Sequence, residues 1–195
     1  LIFLTILLLA ETHFGATWPF FIHKTNYLFI KENKISLILI PIILSVFCLF
    51  GFFYFKMFFL LIFFAANVYH VTRQSFGVMS LYVKYDKEKK IYANLIYIFN
   101  FLFFIVAFFR FYIPIIKPED LILINILVPC ILMITFILCS LKFKLSENFL
   151  TMVTGVIVFY PVCFVSSPVH AIIMGVTMHY TQYLYLTNKV VLKRN

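Results

Sequence analysis

The chain has 195 residues, of which 64% are hydrophobic and 12% are charged, with a net charge of +9. Soluble domains are about half apolar and about a quarter charged, so this composition excludes a soluble globular domain and a disordered chain. The positive charge does not indicate nucleic-acid binding, because the lysines and arginines stand in short clusters between apolar runs of the length that one membrane span needs, about 20 residues.

We predict an all-α fold, a polytopic transmembrane bundle of about seven helices in one domain that covers residues 1–195. The runs are too long, and alternate too little, for the strands of a membrane barrel. The chain opens with Leu1 inside an apolar run, so we expect a truncated or unusual N-terminus, and a further span before it stays open. In chain order the predicted helices are Leu1–Ile22, Ile35–Phe55, Met57–Val83, Ile91–Tyr112, Leu121–Leu141, Phe149–Val165 and Val169–Thr187.

The basic residues between these helices predict the orientation of the chain. Of the sixteen lysines and arginines, twelve follow the odd-numbered helices, whereas only Lys56 and Lys117 lie on the opposite side. Positive charge in short loops marks the cytoplasmic side, which gives an outside N-terminus and a cytoplasmic C-terminus. We expect an integral protein of a bacterial inner membrane, with an organelle membrane as the alternative. Arg110, near the outer end of the fourth helix, is expected to extend its side chain towards the interface.

The third predicted helix carries a polar stripe, which we define as Asn67, His70, Arg73, Gln74 and Gly77. At 100° per residue these five positions lie within an arc of about 120°. A single polar residue in a span often bonds a neighbouring helix, but five on one face need a partner helix, a cavity or a ligand. This stripe is therefore the strongest functional signal in the sequence.

Two further histidines lie within apolar helices. The first predicted helix contains Glu11 and His13, and the last places Gly175, His179 and Gln182 on one face. A tight turn at Ser166-Ser167-Pro168 precedes that last helix, which makes the neighbouring histidine, His170, a helix-start or interfacial residue.

His13, His70 and His179 have compatible depths, since each lies about 12 to 20 Å before the inner end of its helix. Three imidazoles from three helices suit iron or another transition metal. Gln74 and Gln182 would then orient the ligands, and Arg73 would bind an anionic group or stabilise developing negative charge. Two of the histidines holding a haem is the alternative, and packing or a proton path accounts for the same residues without a metal.

Two motifs carry a family resemblance: His70-Val-Thr-Arg73-Gln74-Ser-Phe-Gly77 and His179-Tyr-Thr-Gln182-Tyr-Leu. They resemble motifs of a group of uncharacterised polytopic bacterial membrane proteins. His13-Phe-Gly, together with the third-helix motif, is also similar to the bacterial carotene-cleaving membrane oxygenases of the Brp/Blh type. That resemblance implies histidine-bound iron between transmembrane helices and an isoprenoid substrate. The chain departs from that pattern at Gln74, where the family has a second histidine.

Three functions follow from these observations. The first is a metal-dependent membrane enzyme, an oxygenase or hydrolase, acting on a membrane lipid or isoprenoid-like substrate. The second is a proton-coupled carrier in which His70, Arg73 and Glu11 line a path, although no inverted repeat is visible. The third is a non-catalytic subunit of a larger membrane complex, with the polar stripe as its interface.

Overall fold

The computed structural model describes residues 27–113, 126–165, 167–175, 177, 179–180 and 183–184. Across these residues the chain is helical and has no strand, which confirms the all-α class. Two compact units divide the chain: unit 1 comprises Leu1–Phe59 and Tyr180–Asn195, and unit 2 comprises Leu60–His179. The single-domain organisation stays a prediction, and the first predicted helix lies outside the described residues.

Unit 1 contains α1 (Tyr27–Glu32) and α2 (Ile40–Tyr54), with a π-helical turn over Ile35–Leu39 that leads directly into α2. Pro41 in the first turn of α2 has no N–H to continue the hydrogen-bond ladder, and the π-helical turn lies directly before it. Gly51 is the only buried residue of α2, so the apolar side chains of this helix are exposed. Exposure on every side is the expected state of a helix that faces lipid or a partner.

In unit 2, α4 (Asp86–Tyr112) packs against α5 (Val128–Ser140), α6 (Glu147–Ile157) and the 3-10 segment Tyr160–Phe164. Aromatic rings pack at these contacts. The ring centroids of Phe99 and Phe136 of α5 are 5.2 Å apart, and those of Phe103 and Tyr160 of the 3-10 segment are 5.7 Å apart. Unit 2 also contains α3 (Lys56–Tyr82) from Leu60 onwards and a final helical stretch over 168–175.

Local sequence signals explain where the last elements start and stop. Ser146 precedes α6, and its Oγ accepts a hydrogen bond from the backbone N–H of Phe149 (3.2 Å), which caps the helix. Pro161 has no N–H to continue an α-helical ladder, so the chain tightens into the 3-10 segment. Ser167 caps the final helical stretch in the same way, accepting from the N–H of His170 (3.3 Å). His170 is exposed at that helix start, as the sequence predicts.

Three helical segments in the described part of the chain are long and apolar enough to cross a membrane: Ile35–Tyr54, Asp86–Tyr112 and Glu147–Phe164. The described part of the fifth predicted span, Val128–Ser140, is apolar but shorter. At 27 residues α3 is about 40 Å long, yet it is not among the three segments. These helices support a membrane protein, while the seven-span topology stays a prediction.

Two contacts distinguish the ends of unit 2. At one end Tyr92, near the start of α4, packs edge-on against Phe143 of the α5–α6 loop, with ring centroids 5.1 Å apart. At the other end Arg110, in the last turn of α4, donates a hydrogen bond to the carbonyl oxygen of Cys163. The start of α4, which follows the α3–α4 loop, and the α5–α6 loop therefore lie at the same end of this unit.

Candidate histidine site

His70 of α3 and His179 lie side by side within unit 2. Their ring centroids are 5.8 Å apart and the ring planes are nearly perpendicular, at 83°. The side chain of His179 is buried, with 2% of its surface exposed, whereas His70 is exposed. The structure thus brings together two of the three histidines that the sequence singles out.

A close approach at Gly175 positions His179. A Cβ atom at Gly175 would lie 2.3 Å from Cε1 of Phe159, so only glycine lets the final helical stretch pack this closely on the turn after α6. Phe159 is 1% exposed and Ala171, one turn before Gly175, is fully buried. Because His179 follows Gly175 by about one helical turn, the same buried face carries both residues, in agreement with the sequence prediction.

The spacing of the two rings is compatible with a shared metal ion. A metal–nitrogen distance of about 2.0–2.1 Å puts each ring centre about 3.2 Å from the ion. Two imidazoles on one ion then have centroids about 4.5 to 6.4 Å apart, according to the angle at the metal. The observed 5.8 Å falls within that range.

The described residues contain no group of three or more His, Cys, Asp or Glu side chains that is able to hold a metal. The third predicted ligand, His13, lies outside the described residues, and so do Glu11 and Gln182. The three-histidine site therefore stays a prediction. The structure describes two of its residues, His70 and His179.

The polar stripe faces away from the core of unit 2. The buried residues of α3 centre about 140° around the helix from the stripe. Accordingly His70, Arg73 and Gly77 are exposed, whereas Asn67 and Gln74 are half-buried. A guanidinium on the outer face of a membrane helix is costly unless a polar group or a partner covers it.

The two amides of the stripe differ in their hydrogen bonds. Asn67 donates from Nδ2 to the carbonyl oxygen of Phe63 one turn earlier (2.9 Å), so its amide N–H is used locally. The carbonyl oxygen of the Gln74 side chain is buried and has no hydrogen-bond partner among the described residues. Gln74 therefore keeps an acceptor available on the side of α3 that carries His70.

An apolar groove lies on the other flank of α3, between this helix and α4. It has a volume of about 200 Å³ and is half open to the surroundings. The α3 residues that line the groove are centred about 150° around the helix axis from His70, so the groove does not adjoin the histidine pair. It is lined by Ala65, Val68, Tyr69, Thr72, Tyr97, Phe101 and Phe104.

Sequence reasoning missed a buried polar contact at which α3, α4 and α6 meet. Asn100 is completely buried and donates from Nδ2 to the carbonyl oxygen of Gly155 (2.9 Å). A Cβ at Gly155 would lie 3.0 Å from Cδ1 of Ile96 and 3.2 Å from Cβ of Ser75, so the three helices approach closely. The available signal was an amide in the middle of a long apolar run.

Arg110 has a more specific role than reaching the interface. Its guanidinium donates to the Cys163 carbonyl at the end of the 3-10 segment, where helical carbonyls lack partners. It also lies 5.4 Å from the ring centre of Phe111. A cation at that position complements the negative end of the helical segment, and it joins α4 to the segment after α6.

Comparisons with protein families, with curated proteins and with solved structures gave no match to this chain.

Proposed function

We propose that this chain is an integral membrane enzyme with an intramembrane histidine site that binds iron or a similar transition metal and acts on a lipophilic substrate. His13, His70 and His179 would be the ligands. Gln74 and Gln182 would orient the imidazoles, and Arg73 would bind an anionic group of the substrate. The proposal includes the seven-span topology and location in a bacterial inner membrane.

The single observation that carries this proposal is the His70–His179 pair. The ring centroids of His70 and His179 lie 5.8 Å apart, which is compatible with one shared ion. His179 is buried and His70 is exposed, so an ion held by both rings would lie at the edge of the core of unit 2.

The residues around the pair suit binding and orientation. The free acceptor of Gln74 is able to hold the N–H of an imidazole, which fixes the tautomer of a ligand. Arg73, one turn further along the same face, offers a guanidinium to a carboxylate, phosphate or developing oxyanion. A bound metal would act as a Lewis acid that activates oxygen or water.

The test is the metal content of the purified full-length chain, measured with its visible absorption spectrum. We expect about one non-haem transition metal per chain, reduced at least tenfold by His70→Ala and by His179→Ala. His170→Ala is the matched control, because His170 is exposed at a helix start outside the site, and it should keep the metal. Metal-free protein, or metal that persists in both site variants, would refute the proposal. A visible spectrum typical of haem would identify the cofactor as haem and not as a non-haem ion.

A non-catalytic subunit of a membrane complex is the second candidate, and the exposure of the polar stripe favours it. Arg73 and His70 are exposed on the outer face of α3, where another transmembrane chain with an acidic side chain would cover them. Purification from the native membrane in mild detergent discriminates the two candidates. A stoichiometric partner that Arg73→Gln releases supports the subunit, whereas a monomer that retains metal supports the enzyme.

A further inference from the structure

A cluster of lysines lies at the end of unit 2 where the α3–α4 and α5–α6 loops meet. The contact between Tyr92, near the start of α4, and Phe143 of the α5–α6 loop brings these two segments together. Tyr92 is 1% exposed, so this contact is anchored in the core and not on a mobile surface. We name this surface the lysine end and define it by Lys84, Lys87, Lys89, Lys90, Lys142 and Lys144.

The charge of the lysine end is positive and available to a ligand. Five of its six lysines are exposed, and Lys89 is half-buried. The nearby carboxylates are Asp86 and Glu88 in the first turn of α4 and Glu147 in the first turn of α6. Three carboxylates against six lysines offset the positive charge only in part.

The lysine end lies where the apolar part of the helices stops. Lys89 and Lys90 directly precede the apolar run that starts at Ile91, and Lys142 directly follows the run that ends at Leu141. Lysines at that level have their ammonium groups among lipid headgroups when the helices cross a bilayer.

Exposed apolar side chains are interleaved with these lysines. Tyr85 is 75% exposed, Leu141 73% and Leu145 80%. A surface for nucleic acid or for an acidic soluble protein would leave such leucines in water, whereas a bilayer interface accommodates apolar side chains and lysines at adjacent depths.

We propose that the lysine end binds the phosphate groups of anionic lipids in the cytoplasmic leaflet. The partner is a lipid, with its chains along the apolar helices and its phosphate between the two loops. This binding is independent of the histidine pair, so it survives if the metal site is refuted.

The experiment is native mass spectrometry of the full-length chain in detergent, with equal amounts of phosphatidylglycerol and phosphatidylcholine that have identical acyl chains. We expect phosphatidylglycerol to occupy the wild type several-fold more than phosphatidylcholine. A lysine near a membrane surface contributes about a fivefold preference for anionic lipid. Lys142→Gln combined with Lys144→Gln should therefore remove most of this preference.

The matched control is Lys31→Gln with Lys34→Gln, which removes the same charge from the segment around α1; a site built by the two loops predicts a smaller loss of preference in this variant than in the Lys142 and Lys144 variant. An equal loss of the phosphatidylglycerol preference in both double variants would mean that the net charge of the chain alone determines lipid binding, and it would overturn the proposal. An unchanged preference in the Lys142 and Lys144 variant would overturn it as well. Glycerol 3-phosphate should not displace the lipid; displacement would identify a soluble phosphate ligand and contradict a lipid site. Both variants replace exposed side chains, so unfolding midpoints should match the wild type.

Discussion

Replacing Gly175 by alanine tests how the final helical stretch is positioned. The added Cβ would lie 2.3 Å from Cε1 and 2.8 Å from Cδ1 of Phe159. Carbon atoms in contact are normally about 3.5–4.0 Å apart, so the ring or the helix must move by more than about 1 Å. Phe159 is 1% exposed and has little room to move. Overpacking of this kind costs about 1–3 kcal/mol.

Gly77→Ala is the matched control, because a Cβ at Gly77 meets nothing within 4 Å. Alanine favours a helix over glycine by about 0.8–1.0 kcal/mol at either position, so this gain cancels in the comparison. The difference between the two variants isolates the contact with Phe159, and we expect Gly175→Ala to be less stable by about 1–3 kcal/mol.

The assay is thermal unfolding of both variants in the same detergent, followed by circular dichroism at 222 nm. For a chain of this size about 1 kcal/mol corresponds to about 2–4 °C, so the midpoints should differ by several degrees. The same Gly175→Ala variant should also lose metal, since His179 follows on the displaced helix. Equal midpoints for the two variants would refute the packing of Gly175 on Phe159.

Three further substitutions have expected outcomes. Asn100→Ala should destabilise the chain by about 1–3 kcal/mol in thermal unfolding, because it removes the bond to the Gly155 carbonyl and leaves a cavity. The exposed Asn94 on the same helix is the control, where alanine should change stability by less than about 0.5 kcal/mol, and equal effects would contradict the role of Asn100. Arg110→Met should cost about 1–3 kcal/mol by leaving the Cys163 carbonyl unpaired, and a wild-type midpoint would show that the bond contributes nothing. Ser167→Ala removes the cap of the final helical stretch and should cost about 1 kcal/mol in the same assay, whereas Ser45→Ala, which removes only an exposed bond to the Pro41 carbonyl, should leave the midpoint unchanged.

The apolar runs predicted several helix positions closely. The second run, Ile35–Phe55, corresponds to a continuous helical segment over Ile35–Tyr54, and the third, Met57–Val83, corresponds to α3 at Lys56–Tyr82. Hydropathy did not mark the start of α4, which begins five residues before Ile91 at Asp86. The acidic residues Asp86 and Glu88 in the first turn of α4 are favourable near the positive end of the helix, so this helix extends beyond its apolar part.

The sequence located the polar stripe but not the direction in which it faces. A polar stripe is compatible with a buried network or with an outer surface, and only the packing of Phe64, Val71 and Met79 against the other helices decides between them. From the sequence, His70 and His179 are expected at comparable depths along their helices. In the structure their ring centroids lie 5.8 Å apart.

The importance of Asn100 for stability could not be predicted from the sequence, because it depends on the hydrogen-bond partner of the side chain. That partner is the Gly155 carbonyl, 55 positions further along the chain. Backbone carbonyls have no sequence signature, so neither this bond nor the one from Arg110 to Cys163 is visible before the helices are packed.

The most direct test of the histidine site is X-ray absorption spectroscopy at the edge of the metal in the purified chain. We expect an ion with two or more imidazole ligands, whose outer-ring scattering is diminished in His70→Ala and retained in His170→Ala. An ion bound only by oxygen, or the absence of any transition metal in the folded protein, would contradict it.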